Sequence, residues 1–331
     1  MKRRRSGVTI NEIAKMAGVS RATVSRYLND GYVSEEKKER IAGVIAETGY
    51  IPSSQAQMLR TKKTGLIGVI IPKISSDSIG RMVDGIGEEL AKEGYQLLLA
   101  STNNNEREEV RYLQTFRNNY VDGVILIGTI FRKEHRKALE ELEVPVVILG
   151  QQYEGYACVY QDDCHSARDV AELLTKSCRH IAYIGVTPKD KAVGAARKKG
   201  FQTALSSKGL EPVAEKQIAF RMEEGYQAMR QIVETIPYID GVFCATDMIA
   251  AGALQYLREA GLQRKVCVTG MGDSQIATIL QPSLSTVHFH YKSSGREAAR
   301  LLIEMLQKSE DVRKEIKMGY QIIERDSTRD I

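Results

Sequence analysis

Residues 9–29, TINEIAKMAGVSRATVSRYLN, decide how this chain is read. Thr9 followed by Glu12 fits a capping box, in which the hydroxyl and the carboxylate each take a backbone N–H that the first helical turn leaves free. Ile13, Ala14 and Ala17 then fall on one helical face, and Gly18 breaks the helix. Ser20 caps a second helix, Arg21 to about Leu28, with Val24 and Leu28 turned inward. Asn29-Asp30-Gly31 is a strong turn signal. Ser34 caps a third helix: Glu35 and Glu36 suit its first turn, Ile41, Val44 and Ile45 form its apolar stripe, and Gly49 closes it. Two short helices about a glycine turn, braced by a third, predict a helix-turn-helix, whose second helix enters the major groove of DNA.

The charge supports that reading. Residues 1–63 hold 13 Lys+Arg against 6 Asp+Glu, a net +7, whereas the other 268 residues hold 34 against 36, a net −2. A basic small domain on a near-neutral large one points to nucleic acid or another anionic surface. On the second helix, Arg21, Ala22 and Arg26 project toward base edges, since Arg bonds O6 and N7 of guanine and Ala meets a thymine methyl. Ser20, Thr23, Ser25 and Asn29 suit phosphate contacts, which position without specifying. Thr9 is counted with the DNA-facing residues.

Pro52 marks the exit from the third helix, and Ser53 caps a short helix, residues 54 to about 60, before the linker Thr61-Lys62-Lys63-Thr64-Gly65. A helix this short is unstable alone in water and needs a partner to form. From residue 65 onward, apolar β-rich runs recur: Leu66–Ile71, Gln96–Ala100, Gly123–Ile127, Val144–Leu149, His180–Ile184, Gly241–Ala245, Val266–Gly270 and Ser285–Phe289. Amphipathic stretches lie between most of them, among them Ile79–Glu93, Glu106–Asn119, Ala167–Lys176 and Ile249–Ala260. Apolar strands with helical crossovers imply parallel sheets covered on both faces. The pattern resumes after about Gln161, which predicts two similar lobes. Ligands of such sheets bind beyond the carboxyl ends of the strands, and two lobes place that site in the cleft between them.

Several classes are excluded. At 331 residues, 43% apolar and 27% charged, the chain is neither largely disordered nor a fibre or rod. No apolar run approaches a membrane helix, and no apolar stretch follows Met1-Lys2-Arg3-Arg4-Arg5, so the expected place is the cytoplasm. The five cysteines are scattered without a C-x-x-C pair, as free thiols in a reducing compartment are. His288 and His290 can share a strand face, but with no third ligand nearby neither a metal nor a cofactor is expected. There is no Walker A sequence, Gly270-x-Gly272 lacks the third glycine of a dinucleotide fingerprint, and no G-x-S-x-G elbow accompanies Gly272-Asp273-Ser274. No enzyme is expected. A secreted sugar-transport protein would show a signal peptide and no basic headpiece, the reverse of this chain.

The stretch 9–29, with Ala-Gly-Val-Ser, Thr-Val-Ser-Arg and the later Gly49-Tyr50-Ile51-Pro52, closely resembles the headpiece of the lactose repressor (LacI/GalR) family. The resemblance runs to the C-terminus, where Gly319–Thr328 is similar to the family's last strand and R-x-S-T ending. It implies a small all-α helix-turn-helix headpiece (1–51), a hinge helix and linker (52–64), and an α/β two-lobed periplasmic-binding-protein-like effector and dimerisation domain (65–331). The lobes would be roughly 65–161 plus 291–318 and 162–290 plus 319–331. In the family the hinge helix orders on the operator and a Leu wedges into the minor groove; Leu59 holds that position, while Ser53 and Gln57 stand where Asn and Arg are common. The resemblance also implies effector contacts. Val159-Tyr160-Gln161-Asp162 resembles V-x-x-D, Arg197–Phe201 resembles the R-x-x-G-F whose Arg holds sugar hydroxyls, and Ala245-Thr246-Asp247 resembles A-N-D. In Thr269–Asp273, Gly272 replaces the first Asp of the G-Y/F-D-D turn, leaving Asp273. With Ser76 and Asp77 after the first strand and Phe289 as an aromatic cover, the candidates are Ser76, Asp77, Asp162, Arg197, Thr246, Asp273 and Phe289. Lys73, Arg197 and Lys198 would supply charge for a phosphate.

Gly31–Ser34, Tyr160–Asp163 and His288–Tyr291 look most like sucrose operon repressors of Gram-positive bacteria, which implies a sugar or sugar phosphate effector. One headpiece reads too few base pairs alone, so a homodimer on a near-palindromic double-stranded operator is expected. Sugar in the cleft would then change the angle between the lobes, separate the hinge helices and lower operator affinity. A global carbon regulator whose effector domain binds a phosphorylated carrier protein, or a repressor with a non-sugar effector, shares the same pattern.

Overall fold

The structure, a computed structural model, describes residues 8–50, 63–117, 121–308 and 313–329. The chain divides between Thr64 and Gly65 into two compact units.

The N-terminal unit holds α1 (Ile10–Met16), α2 (Arg21–Tyr27) and α3 (Glu35–Thr48). Both halves of the expected capping box form: the Thr9 N–H donates to Glu12 Oε2 at 2.7 Å and the Glu12 N–H to Thr9 Oγ1 at 3.4 Å. Gly18, at φ +63°, turns the chain from α1 toward α2. The turn after α2 takes its left-handed residue from Asp30, at φ +55°. Gly31 answers a different need, since a Cβ there would meet the Arg26 carbonyl oxygen at 3.2 Å. Ser34 sits at the N-cap of α3 without the expected side-chain hydrogen bond, so Glu35 and Glu36 serve that end of the helix dipole. Ile13, Val24 and Ile41, fully buried, make the core with Ala14, Ala17 and Val33. The expected hinge helix, and with it Ser53, Gln57 and Leu59, lies outside the described residues.

The C-terminal unit opens with β1 (Leu66–Ile71), α4 (Asp77–Lys92), β2 (Gln96–Ser101), α5 (Glu106–Arg117), β3 (Gly123–Leu126), α6 (Lys133–Glu140), β4 (Val146–Leu149) and β5 (Ala157–Gln161). It continues with α7 (Asp163–Ser177), β6 (Ile181–Gly185), a π-helical turn (Lys191–Ala196), α8 (Arg197–Ser206), β7 (Ala214–Gln217), α9 (Met222–Thr235), β8 (Gly241–Cys244), α10 (Asp247–Glu259), β9 (Cys267–Thr269) and α11 (Gln275–Ile279). It closes with β10 (Thr286–Phe289), α12 (Tyr291–Lys308), β11 (Glu315–Met318) and β12 (Tyr320–Ile323).

Six parallel strands in the order β11-β5-β4-β3-β1-β2 form one lobe and four in the order β7-β6-β8-β9 the other. The antiparallel pair β10–β12 departs from the expected all-parallel arrangement. All eight expected apolar runs are strands. Three more, β5, β7 and β11, were not anticipated. β7 and β11 are edge strands with half their side chains in solvent, so they lack a continuous apolar run. Helices α4 and α12 cross at two glycines: a Cβ on Gly85 would stand 2.0 Å from the Lys292 carbonyl oxygen, and one on Gly295 2.0 Å from that of Met82. Only bare backbone permits that approach.

Candidate nucleic-acid interface and effector cleft

At about 100° per residue, Arg21, Ser25, Ala22 and Arg26 cover roughly 140° of the α2 surface, opposite the buried Val24. Arg21, Ala22 and Arg26 are exposed, and neither arginine has an ion-pair partner among the described residues. The other candidates carry internal duties. Thr9 is a cap. Ser20 accepts the Thr23 N–H at 3.2 Å and its hydroxyl meets that of Thr23 at 2.9 Å. Asn29 donates its side-chain amide to the Ser25 carbonyl, which closes α2. Among the described residues, the candidates without such duties are therefore two exposed guanidiniums, a methyl and the Ser25 hydroxyl on one short helix.

The C-terminal unit treats its polar candidates differently. Asp162 caps α7, bonds His165 Nδ1 at 2.8 Å and pairs with Lys317 at 3.1 Å. Partial burial works to raise its carboxyl, but those bonds hold it below the usual carboxylate range. Arg197 is buried and donates to Asp163 Oδ1 at 2.7 Å and to the Ala245 carbonyl at 2.6 Å. Burial opposes its charge, yet the adjacent carboxylate keeps the guanidinium protonated. Its Cζ lies 5.1 Å from the Phe289 ring centroid. Phe289 is fully buried, between that guanidinium and Tyr291, and so presents no open face to a sugar ring.

Thr246 caps α10 through the Ile249 N–H at 3.3 Å. Its neighbour Asp247 accepts from Thr286 Oγ1 at 2.5 Å and from Ser274 N–H and Oγ at 2.7 and 2.8 Å. Asp273, at φ +46°, is held by Arg325 at 2.7 Å and by His288 at 2.8 Å. Ser76 meets Ser78 at 3.1 Å, and Asp77 pairs with Arg81 at 2.8 Å. Of the expected phosphate-binding cations, Lys198 is paired with Glu215 and Arg197 with Asp163, while Lys73 is half-buried at the end of β1.

Sequence reasoning overlooked Arg81, which reaches from α4 of the first lobe to the Gly272 carbonyl of the second at 2.6 Å and lies 5.0 Å over the Tyr291 ring. Gly272, at φ +139°, takes a conformation that the Asp usual at that place would rarely adopt.

Both lobes line a cavity of about 570 Å³ that includes Asp162, Gln161, Lys317, Lys191 and the Gly150–Gln152 segment after β4. Its volume is that of a small-molecule site. Gln161 is 5% exposed, and neither its side-chain nitrogen nor its oxygen has a hydrogen-bond partner among the described residues. A buried carboxamide left without partners is costly. Gln161 lay inside the V-x-x-D stretch, next to the Asp that drew attention. Lys317 was missed with β11, although in register it faces Tyr160, one residue before Gln161. Burial pushes Asp190, at the start of the π-helical turn, up to about 6, although it accepts the Ala192 and Val193 N–H groups at 3.1 and 2.9 Å.

Residues 9–53 match the family model described as bacterial regulatory proteins, lacI family, and residues 170–328 that of a periplasmic binding protein-like domain. The sucrose operon repressor of Staphylococcus xylosus is 32% identical, over 90% of this chain and 93% of its own. The ribose operon repressor of Halalkalibacterium halodurans is 34% identical, over 91% of each. The crystal structure of the lac repressor dimer bound to operator and the anti-inducer ONPF shares the fold, with a TM-score of 0.89 at 22% identity over 98% of this chain and 99% of that one. The chain belongs to the lacI family of bacterial regulatory proteins, and is a DNA-binding transcriptional regulator that reads DNA through a helix-turn-helix.

Proposed function

We propose that two copies of this chain, in the cytoplasm, hold a near-palindromic operator of a carbohydrate-utilisation operon and repress it, and that a sugar in the cleft controls their grip. The exposed face of α2 carries the reading: Arg21 and Arg26 stand exposed on the helix whose other side is the headpiece core. Arg21, Ala22 and Arg26 read base edges, and Ser25 meets phosphate. The roles of the relatives, repression of sucrose and ribose operons, support a sugar effector. So does a cavity at the carboxyl ends of parallel strands. Pairing of copies is supported by apolar surface that water does not favour: Leu98 and Leu99 on the β2 edge, 39% and 37% exposed, and Ile279, 76% exposed, beside a groove of about 360 Å³ between α10 and α11.

The test is operator selection from random duplex DNA with the full chain, followed by anisotropy titration of the selected site at several salt concentrations. The reading expects a site with two half-sites bound by two copies, affinity falling steeply with salt, and a shift in affinity on adding one sugar. Equal binding to selected and random DNA would remove the base-reading role. No response to any sugar would remove the sugar reading.

A further inference from the structure

The cavity also constrains the charge of its ligand. Four carboxylates line it, those of Glu154, Asp162, Asp163 and Glu315, against two lysines, Lys191 and Lys317. Asp163 is neutralised by Arg197, Lys317 is bound to Asp162, and Glu315 accepts from Gln152 at 2.7 Å. Lys191, exposed on the π-helical turn, is the one lining cation without an ion-pair partner among the described residues. No arginine lines the cavity, so the forked donor that best suits a phosphoryl group is missing there. The backbone offers little instead. The Ala192 and Val193 N–H groups already serve Asp190, and the first turn of α7 is flanked by the Asp162 and Asp163 carboxylates. A phosphoryl group of charge near −2 would meet the Glu154 and Glu315 carboxylates with Lys191 alone to offset them.

Gln161 asks for the opposite kind of partner. Its side-chain amide has a donor end and an acceptor end, both buried and both without a partner among the described residues. A pair of neighbouring hydroxyls, each able to donate and accept, satisfies both ends at once, with Asp162 accepting from a further hydroxyl. We propose that the effector is an uncharged polyhydroxyl molecule seated on the Gln161 amide, and that its phosphorylated counterpart is rejected by the surrounding carboxylates. The inference rests on the sugar-effector reading and narrows it.

Calorimetric titration of the full chain with matched pairs tests it: sucrose and sucrose 6-phosphate, trehalose and trehalose 6-phosphate, fructose and fructose 1,6-bisphosphate, with inorganic phosphate alone as a further probe. One uncharged member should bind, and its phosphorylated form should bind at least about a hundredfold more weakly. Gln161→Leu should weaken the uncharged ligand about tenfold to a hundredfold. If that variant is unstable, Asp162→Asn provides a second route, expected to narrow the gap between the two forms by strengthening the phosphorylated one. Equal or tighter binding of a phosphorylated form overturns this inference while a sugar effector survives. An unchanged affinity in a folded Gln161→Leu overturns it as well. Failure of every sugar both to bind and to alter operator affinity overturns the inference together with the reading beneath it.

Discussion

On α2, the arginines that face outward have no ion-pair partner among the described residues, whereas in the C-terminal unit Arg197, Asp247 and Asp273 are each engaged by two or more neighbours. The difference follows from what each region meets. DNA is a long polyanion read from its surface, so its contacts remain solvated until it arrives. A small ligand is read in a closed cleft, where a buried charge without a partner is costly. Polar groups of the cleft therefore have to be satisfied internally, and the Gln161 amide stands out because it is not.

The comparison can be broken by substitution. The largest effect is expected at Arg197→Met, which leaves Asp163 buried and unpaired and should cost about 3–5 kcal/mol in urea denaturation. Near-normal stability together with lost ligand binding would make Arg197 a free ligand contact like those on α2.

Asp190 gives the next largest effect. Its folded pKa, about 6, lies above its ordinary value of 3.8. Stability linked to it is therefore complete below about pH 4 and is lost as pH rises through 6. Asp190→Asn abolishes that loss, so the variant should gain on the natural chain by up to about 3 kcal/mol between pH 4 and 7. A difference that stays flat with pH would show that the carboxylate is solvated.

Arg26→Ala should cost about 1–3 kcal/mol on the best operator and relax one base preference, with thermal stability changed by no more than about 0.5 kcal/mol. Equal loss on random DNA would make it a phosphate contact. Ser20→Ala is the smallest, removing the cap on Thr23 and about 1 kcal/mol of headpiece stability. Amide exchange at Thr23 reads it directly, and unchanged protection there would show that the cap is dispensable.

The headpiece was legible almost residue by residue because its signals are local. A capping pair three residues apart, a left-handed glycine and an apolar stripe each act within a few positions of sequence. Ser34 and Asn29 show the limit, since whether a hydroxyl caps or an amide folds back depends on rotamers that spacing does not set. In the C-terminal unit most strands announced themselves as apolar runs, while the half-exposed edge strands β7 and β11 did not, and neither did the interior β5, whose run Ala157–Gln161 includes Tyr160 and Gln161. Arg197 was visible in sequence, but its partners Asp163 and the Ala245 carbonyl are brought to it across 34 and 48 residues. The Arg81–Gly272 contact spans 191 residues, beyond any local pattern. Phe289 was expected to cover a sugar, and the tertiary packing placed a guanidinium there instead.

The central claim is that one ligand in the cleft and one duplex on α2 are coupled. The most direct test measures the affinity of the full chain for its sugar twice, free and saturated with operator. Because coupling is reciprocal, the two sugar affinities should differ by the same factor by which sugar changes operator affinity, about 5- to 150-fold for typical coupling. Identical sugar affinity in the two states would contradict the account.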